Sequence, residues 1–168
     1  MKLSKIKTLV AVIIVCSMIF APVSGVTVSK AKASNRSKVI KIAKGKLGCP
    51  YVWGARGPKS FDCSGFVYWV NKQAYKKGYT KKRVSSGCAT SQLRALKRYS
   101  VSRSLSRAKP GDLIFFSNNR STSNIRHVAI YYGNYKLIHA SAGKVRVTGV
   151  GWSGGQRQVA AIVRVPGL

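Results

Sequence analysis

The sequence predicts an α+β fold, with helices in the first part of the mature chain and an antiparallel sheet in the second. Apolar residues recur at helical spacing as far as residue 99, and from residue 110 onward they form short β-branched and aromatic runs between turn residues. Helices followed by strands are typical of helices packed on one face of an antiparallel sheet. At 168 residues and 45% hydrophobic content, one globular domain is expected.

The N-terminus is expected to lie outside that domain. Three lysines within the first seven residues precede an unbroken apolar run over residues 9–20, and Ala31-Lys32-Ala33 forms an A-x-A cleavage pattern. The run is shorter than the roughly 20 residues that a membrane-spanning helix needs. We therefore expect a secretory signal peptide over residues 1–33 and a mature domain over residues 34–168, with an uncleaved anchor as the alternative.

The charge is extreme and of one sign. The chain has 31 Lys and Arg residues against two acids, with no Glu. Residues 1–33 contain five of the lysines and neither acid, so the mature domain carries a formal charge of +24. Such a field concentrates polyanions. Nucleic acid is the usual partner of a domain this basic, but export makes wall polymers, wall phosphates and anionic lipid the expected partners, and we expect a monomer that does not bind nucleic acid.

Three helices are expected before the sheet, over residues 34–48, 63–78 and 90–99, with a loop rich in Gly and Pro over residues 49–62. Glycines at positions 48 and 78 follow the first two helices, as is usual at helix C-termini. The expected N-terminal caps are Ser34 or Asn35 for the first helix and Thr90 or Ser91 for the third.

Five strands are expected, over residues 112–116, 126–132, 136–140, 144–150 and 158–165. The two histidines of the chain, His127 and His139, flank a predicted β-hairpin. A three-residue loop over residues 132–134 would pair them directly on one face of the sheet. A two-residue turn at Gly133-Asn134 would put them on opposite faces. The sequence favours neither turn.

Three cysteines follow residue 33: Cys49, Cys63 and Cys88. An odd number in an exported protein indicates a free thiol. A disulfide between Cys49 and Cys88 would leave Cys63 free, and three free thiols are the alternative. Cys63 is expected at a helix start, where unpaired N–H groups and the helix dipole lower the pKa of a thiol and can stabilise an oxyanion.

Together, Cys63, His127 and His139 fit a nucleophile, a base and a group that orients the base. One Cys and two His could instead bind zinc, but they form no C-x-x-C or H-x-x-x-H pair, and we expect no metal or cofactor. Asp62, directly before Cys63, is expected to cap the helix. Asp112 is expected to close a turn at the start of a strand.

Three segments of the chain carry a resemblance to a known family. The segments LGCPYVWGARGPKSFDCSGFVYWV, KPGDLIFF and HVAIYYGNYKLIHAS closely resemble the NlpC/P60 family of cell-wall peptidases, and the likeness runs from about residue 38 to residue 165. The resemblance implies a papain-like fold in which a helix bearing the cysteine packs on a sheet bearing the histidines. It makes Cys63 the nucleophile, His127 the base and His139 the third polar residue, with the hydroxyl of Tyr51 near the thiol.

The same resemblance implies a secreted, wall-associated cysteine endopeptidase that hydrolyses peptidoglycan stem peptides at the bond between D-γ-glutamyl and a diamino acid. It places Asp62 and Ser64 in the substrate groove, where Asp62 helps some members to hold the free amine of an N-terminal L-Ala. Ala55 and Tyr135 stand where the family often has Gly. The alternatives are a cationic wall- or nucleic-acid-binding protein on the same scaffold, and an amidase or acyltransferase with the same triad.

Overall fold

The computed structural model of the protein describes residues 34–153 and 156–168, so the expected signal peptide lies outside the described residues. Its helices are α1 (Asn35–Lys44), α2 (Cys63–Lys76) and α3 (Ala89–Leu96). Its strands are β1 (Ser100–Ser102), β2 (Leu113–Ser117), β3 (His127–Gly133), β4 (Lys136–Ser141), β5 (Lys144–Gly149) and β6 (Gln158–Val163). Two 3-10 turns, Lys97–Tyr99 and Leu105–Arg107, flank β1. The predicted α+β fold is confirmed.

Helix α1 is shorter than the sequence predicts. Ser34 caps it by accepting a hydrogen bond from the N–H of Ser37, as expected. The helix ends at residue 44 because the residues after it hydrogen-bond to β5 instead. The N–H of Gly48 donates to the carbonyl of Val145 at 2.9 Å. As a result, Leu47 is turned away from the core and is 43% exposed.

Helix α2 carries Cys63 as its first residue and packs on the loop over residues 49–62. Asp62 is its N-cap, as expected, and its apolar face is buried against the sheet. A Cβ atom at Gly65 would collide with the carbonyl of Ala55. The glycine therefore allows the first turn of the helix to lie directly against the loop, which brings the loop residues to the edge of the cleft.

Helix α3 begins one residue earlier than predicted, and the predicted caps are wrong. Cys88 is the N-cap residue and its side chain makes no capping hydrogen bond. The two hydroxyls have other partners. Thr90 accepts a hydrogen bond from the N–H of Ile125 at 3.0 Å, which ties the helix to the segment before β3, and Ser91 donates to the carbonyl of Cys88 at 2.8 Å.

The six strands form one antiparallel sheet in the order β1-β6-β2-β3-β4-β5. Strand β1 is an edge strand of three residues, too short for its alternation to be visible in the sequence. The helices cover one face of the sheet and form the main core with alternate strand residues. A smaller apolar cluster lies on the other face, built from Ile114, Phe116, Ala129, Tyr131, Leu137 and Ile162.

The hairpin of β3 and β4 uses neither of the turns considered from the sequence. Its turn residues are Asn134 and Tyr135, both with positive φ (49° and 54°), which is a two-residue turn suited to the twist of paired strands. A bulge follows, because Gly133 pairs with Lys136 whereas Tyr131 pairs with Leu137. The histidines are therefore diagonal neighbours rather than a direct pair. Contact between their rings shows that both lie on one face of the sheet, a question that the turn residues alone left open.

Asp112 has the structural role that the sequence predicts. Its carboxylate is fully buried at the start of β2 and accepts a hydrogen bond from the N–H of Lys109, which closes the turn. Arg36 and Arg164 form salt bridges to it at 3.0 and 2.8 Å. The pair of guanidinium groups thus ties α1 and the end of the sheet to one buried acid. Within the described ranges, no helix has the length and apolar character to cross a bilayer.

Candidate active site

One cleft brings together the residues that the sequence singled out. It has a volume of about 570 Å³ and lies where α2 begins, at the starts of β3 and α3 and beside the loop over residues 49–62. Among its lining residues are Cys63 and His127, together with Tyr51, Asp62 and Ser64. His139 lies behind His127, fully buried, and makes contact with it rather than with the cleft.

Cys63 reaches the sheet from the first turn of α2. Its sulfur lies near the backbone N–H groups of Ser64 and of Val128, the residue that follows His127. The net effect on the thiol differs from the expectation. Burial raises the pKa of Cys63, and this outweighs the two N–H groups and the charge of Arg157, which lower it. The resting cysteine is therefore a neutral thiol, and a base is needed to ionise it.

His127 and His139 are hydrogen-bonded to each other. Nε2 of His127 lies 2.8 Å from Nδ1 of His139, and Nε2 of His139 lies 3.1 Å from the hydroxyl of Thr148 on β5. These contacts leave Nδ1 of His127 as the ring nitrogen available to the cleft. If that atom is to accept a proton, Nε2 of His127 carries a hydrogen and donates to His139, and His139 then donates to Thr148. The chain of contacts is consistent with this one set of tautomers.

Both rings are held in the neutral state. Burial, with the nearby charges of His139 and Arg157, lowers the pKa of His127 well below 6.5. Burial, with the charges of Arg146 and Arg157, lowers the pKa of His139 to about 4. A neutral imidazole is the form that can accept a proton, so His127 meets the first requirement for a general base at neutral pH.

Trp152 covers the histidine pair. Its ring centroid lies 5.0 Å from that of His127 and 4.9 Å from that of His139. The guanidinium carbon of Arg157 lies over the Trp152 ring, 5.0 Å from its centroid. The tryptophan excludes water from the two rings, which accounts for part of the burial that lowers their pKa values. Arg157 reaches the cleft from this stack and adds a positive charge close to the site.

Tyr51 and the start of α2 offer groups that could bind an oxyanion. Burial, together with the negative charges of an ionised Cys63 and of Asp62, raises the pKa of Tyr51, so its hydroxyl keeps its proton. The N–H of Cys63 is at the helix N-terminus, where no carbonyl of the same helix can accept it. Tyr51 and Cys63 both line the cleft.

Asp62 is fully engaged in local contacts. One carboxylate oxygen accepts hydrogen bonds from the N–H of Gly65 and the hydroxyl of Ser64, and the other accepts from the N–H of Gly54 at 3.0 Å. The predicted capping role is therefore confirmed. The same carboxylate lines the cleft with Ser64, so it is also positioned to meet a cationic group there.

The three cysteines of the described chain are all free thiols, so the disulfide between Cys49 and Cys88 is not present. Cys49 packs against the main core. Cys88 is exposed and lines the same cleft as Cys63. Hydrogen bonds from Ser91 lower the pKa of Cys88, which makes it the more acidic of the two thiols in the cleft. Within the ranges described, no group of His, Cys, Asp or Glu is arranged to hold a metal ion.

Three residues at the site were not identified from the sequence: Thr148, Trp152 and Arg157. Thr148 could have been found from strand alternation, because it shares a face of the sheet with His139 once β4 and β5 are in register. Trp152 and Arg157 belong to the irregular connection between β5 and β6. No local pattern indicates where such a connection folds, since its position depends on the two strands that it joins.

Comparison with known proteins gives the same fold. The model of the family described as NlpC/P60 matches residues 48–164. The probable endopeptidase p60 of Listeria grayi is 38% identical over 127 residues, which are 74% of this chain and 22% of that protein. The probable peptidoglycan endopeptidase LytE of Bacillus subtilis is 34% identical over 115 residues, which are 68% of this chain and 30% of that protein.

The solved NlpC/p60 domain of the peptidoglycan hydrolase SagA superposes with a TM-score of 0.61 and is 31% identical, covering 77% of this chain and 98% of that domain. The chain spans less than a third of the length of the two curated relatives, so the likeness is to one domain of each. Because the family model covers well over half of the sequence and the solved domain shares its fold, the chain belongs to the NlpC/P60 family.

Proposed function

We propose that the protein is a cysteine endopeptidase that hydrolyses the stem peptides of peptidoglycan, with the bond between D-γ-glutamyl and a diamino acid as its target. The observation that carries the proposal is the hydrogen bond between His127 and His139, which turns one nitrogen of His127 toward the cleft that holds Cys63. The names of the relatives, an endopeptidase, a peptidoglycan endopeptidase and a peptidoglycan hydrolase, support the substrate class.

The proposed reaction starts from a neutral pair. Because the Cys63 thiol has a raised pKa and His127 a lowered one, proton transfer accompanies attack instead of preceding it. His127 takes the thiol proton at Nδ1 while the sulfur bonds to the carbonyl carbon. The imidazolium is stabilised through His139, as the third residue of other triads stabilises theirs. The carbonyl oxygen becomes an oxyanion, which the N–H of Cys63 and the hydroxyl of Tyr51 are placed to stabilise.

Collapse of this intermediate completes the first half of the reaction. His127 returns the proton to the leaving amine, the C–N bond breaks, and an acyl group remains on Cys63. Water then attacks the thioester with His127 again as base, which releases the acid and restores the thiol. Cys63, His127 and His139 are thus proposed as the catalytic set, with Tyr51 in support. Every proton and bond in this cycle is accounted for by the chain's own residues and one water.

Asp62 is proposed to have a second role beyond capping. Its carboxylate lines the cleft directly beside the thiol, and the other acid of the mature chain is buried at a distance, bound to two arginines. A substrate that presents a free N-terminal amine would therefore find its only carboxylate partner at Asp62. Ser64, which donates to the same carboxylate, would fix its orientation.

Secretion and wall retention complete the proposal. The N-terminal residues 1–33 have the layout of a signal peptide, and one relative is a peptidoglycan endopeptidase by name. The charge of +24 on residues 34–168 would hold the enzyme on anionic wall polymers. The proposal is tested by incubating the purified protein with peptidoglycan fragments and identifying the products by mass spectrometry. Free D-γ-glutamyl termini are expected, and unchanged fragments would contradict it.

A further inference from the structure

A second cavity adjoins the candidate active site. It has a volume of about 510 Å³ and lies between the loop that follows β1, the connection from β2 to β3, and the start of β6. Arg157 lines both this cavity and the cleft that holds Cys63, so the two adjoin at that side chain. The other lining residues are Arg103, Ser104, Leu105, Arg120, Gln158 and Val159.

Every basic side chain in the two cavities is an arginine. Arg56 and Arg126 line the cleft, Arg103 and Arg120 line the second cavity, and Arg157 lines both. Residues 34–168 contain 14 lysines and 12 arginines, yet no lysine lines either cavity. A general excess of positive charge would place lysines there as well. Arginine differs from lysine in its planar fork of donors, which binds carboxylate or phosphate through two parallel hydrogen bonds.

These five guanidinium groups form no hydrogen bond or salt bridge with any described residue. The two acids of the mature chain are already engaged: Asp112 with Arg36 and Arg164, and Asp62 with the start of α2. Asp62 is the only acid that lines the cleft, and no acid lines the second cavity, so five guanidinium groups face a single carboxylate. An anionic ligand that enters both cavities would relieve the repulsion among the guanidinium groups.

One arginine of the second cavity is fixed by packing. Arg157 is held in place by its contact with the ring of Trp152, which itself packs on both histidines. This side chain therefore has a defined position at the boundary between the second cavity and the cleft.

We propose that Arg103, Arg120 and Arg157 form a carboxylate-binding subsite that extends the cleft along an acidic peptide. This inference rests on the proposed peptidase function. A glutamyl residue linked through its γ-carboxyl keeps a free α-carboxylate, and a diamino acid brings a carboxyl of its own, so such peptides carry several carboxylates. A carboxamide at the same place has no charge and one acceptor oxygen instead of two. The subsite therefore selects substrates whose outer carboxyl groups are free over substrates in which they are amidated.

The test is a binding measurement on the full-length protein carrying Cys63→Ala, so that no turnover occurs. Two synthetic stem peptides, identical except that the carboxyl groups outside the scissile bond are free in one and amidated in the other, are titrated by calorimetry. We expect the free-carboxylate peptide to bind about tenfold more tightly, as charge-assisted hydrogen bonds require. Adding Arg103→Gln and Arg120→Gln should bring the two affinities within about twofold. Arg157 is left intact because it also contacts the catalytic region.

A matched control removes the same charge elsewhere. Lys41→Gln with Lys136→Gln changes two exposed lysines outside both cavities and should leave the tenfold preference unchanged. Equal affinities in the parent protein, or an equal loss in the lysine control, would overturn the subsite. Tighter, arginine-dependent binding of a short poly(glycerol phosphate) than of the carboxylate peptide would also overturn it, in favour of a phosphate ligand.

The failure of the proposed function would give a different result. Absence of hydrolysis by the parent enzyme, together with an arginine-dependent preference in the binding assay, would refute the peptidase activity and uphold the subsite. Hydrolysis at equal kcat/KM on the two peptides, with equal affinities, would uphold the peptidase and refute the subsite.

Discussion

Nε2 of His127 lies 2.8 Å from Nδ1 of His139, and this contact gives the two histidines different roles. His127 lines the cleft, whereas His139 is fully buried, does not line it, and contacts His127, Thr148 and Trp152. The first can exchange a proton with a substrate or a thiol. The second can only orient the first and stabilise its charge.

His127→Ala should therefore be far more damaging than His139→Asn. The first change removes the base, whose contribution to a proton-transfer step is typically 10²–10⁴-fold. The second keeps a polar group that can accept from His127, and should cost less than about a hundredfold. The measurement is kcat/KM on a soluble stem peptide, with circular dichroism to confirm that both variants are folded. Equal losses would show that the two roles are assigned wrongly.

The buried histidines should make the protein less stable in acid. An unfolded chain binds a proton at each histidine below pH 6.5, whereas folded His139 does so only below about pH 4. The unfolded state thus binds more protons between these values, and the free energy of unfolding falls as the pH falls through that window. The slope should be about 1.4 kcal/mol per pH unit, and the loss from His139 up to about 3 kcal/mol.

His139→Asn provides the control for this effect, because asparagine does not titrate. Urea denaturation at several pH values between 4 and 7 should show a shallower pH dependence in the variant than in the parent protein. Parallel curves for the two proteins would mean that His139 is not held neutral by the fold.

Asp62→Asn should reduce activity most on substrates with a free N-terminal amine. The carboxylate lines the cleft, and its loss removes the only negative charge available there. The asparagine oxygen can still accept a hydrogen bond from Gly65, so the start of α2 should be largely preserved. The assay compares kcat/KM on one peptide with its amine free and acetylated. The same factor of loss on both would leave Asp62 with its capping role alone.

The charge of the mature chain should affect retention on the wall more than the chemistry. At ~0.15 M salt the field of an exposed charge fades over roughly 8 Å, and at higher salt the distance is shorter. Raising the salt to about 0.5 M should weaken sedimentation with phosphate-bearing walls, while turnover of a small stem peptide changes much less. Wall binding that is indifferent to salt would exclude electrostatic retention. A parallel loss of both would place the charges in the substrate cleft itself.

Most of the fold could be predicted from the sequence because its helices and strands have strong local patterns of apolar residues. The strand runs after residue 110 alternate or are uniformly apolar, and all five predicted strands are observed with ends that differ by at most two residues. The short edge strand β1 was not predicted. The errors lie where a tertiary contact overrides a local preference. Helix α1 ends early because Gly48 hydrogen-bonds to β5. The hydroxyl of Thr90 accepts from the N–H of Ile125 instead of capping its own helix.

Less of the candidate site than of the fold could be predicted from the sequence. The motif around Cys63 and the position of His127 at the start of a strand identify two of the candidate residues. The protonation of these residues depends on burial, which no local pattern reveals. The helix start predicted a lowered pKa for Cys63, and burial reverses it. The turn at Asn134 and Tyr135 was also hidden, since a tyrosine rarely occupies a position with positive φ.

The most direct test of the central claim compares the two thiols of the cleft. Cys63 and Cys88 line the same cavity, and Cys88 is the more exposed and the more acidic, so reactivity alone would favour it as the nucleophile. The measurement is kcat/KM on a D-γ-glutamyl stem peptide for the parent protein, Cys63→Ala and Cys88→Ala. We predict that Cys63→Ala abolishes turnover in a folded protein, while Cys88→Ala stays within about threefold of the parent, since only Cys63 lies at the start of α2 beside His127. Turnover retained by Cys63→Ala, or lost only in Cys88→Ala, would contradict the account.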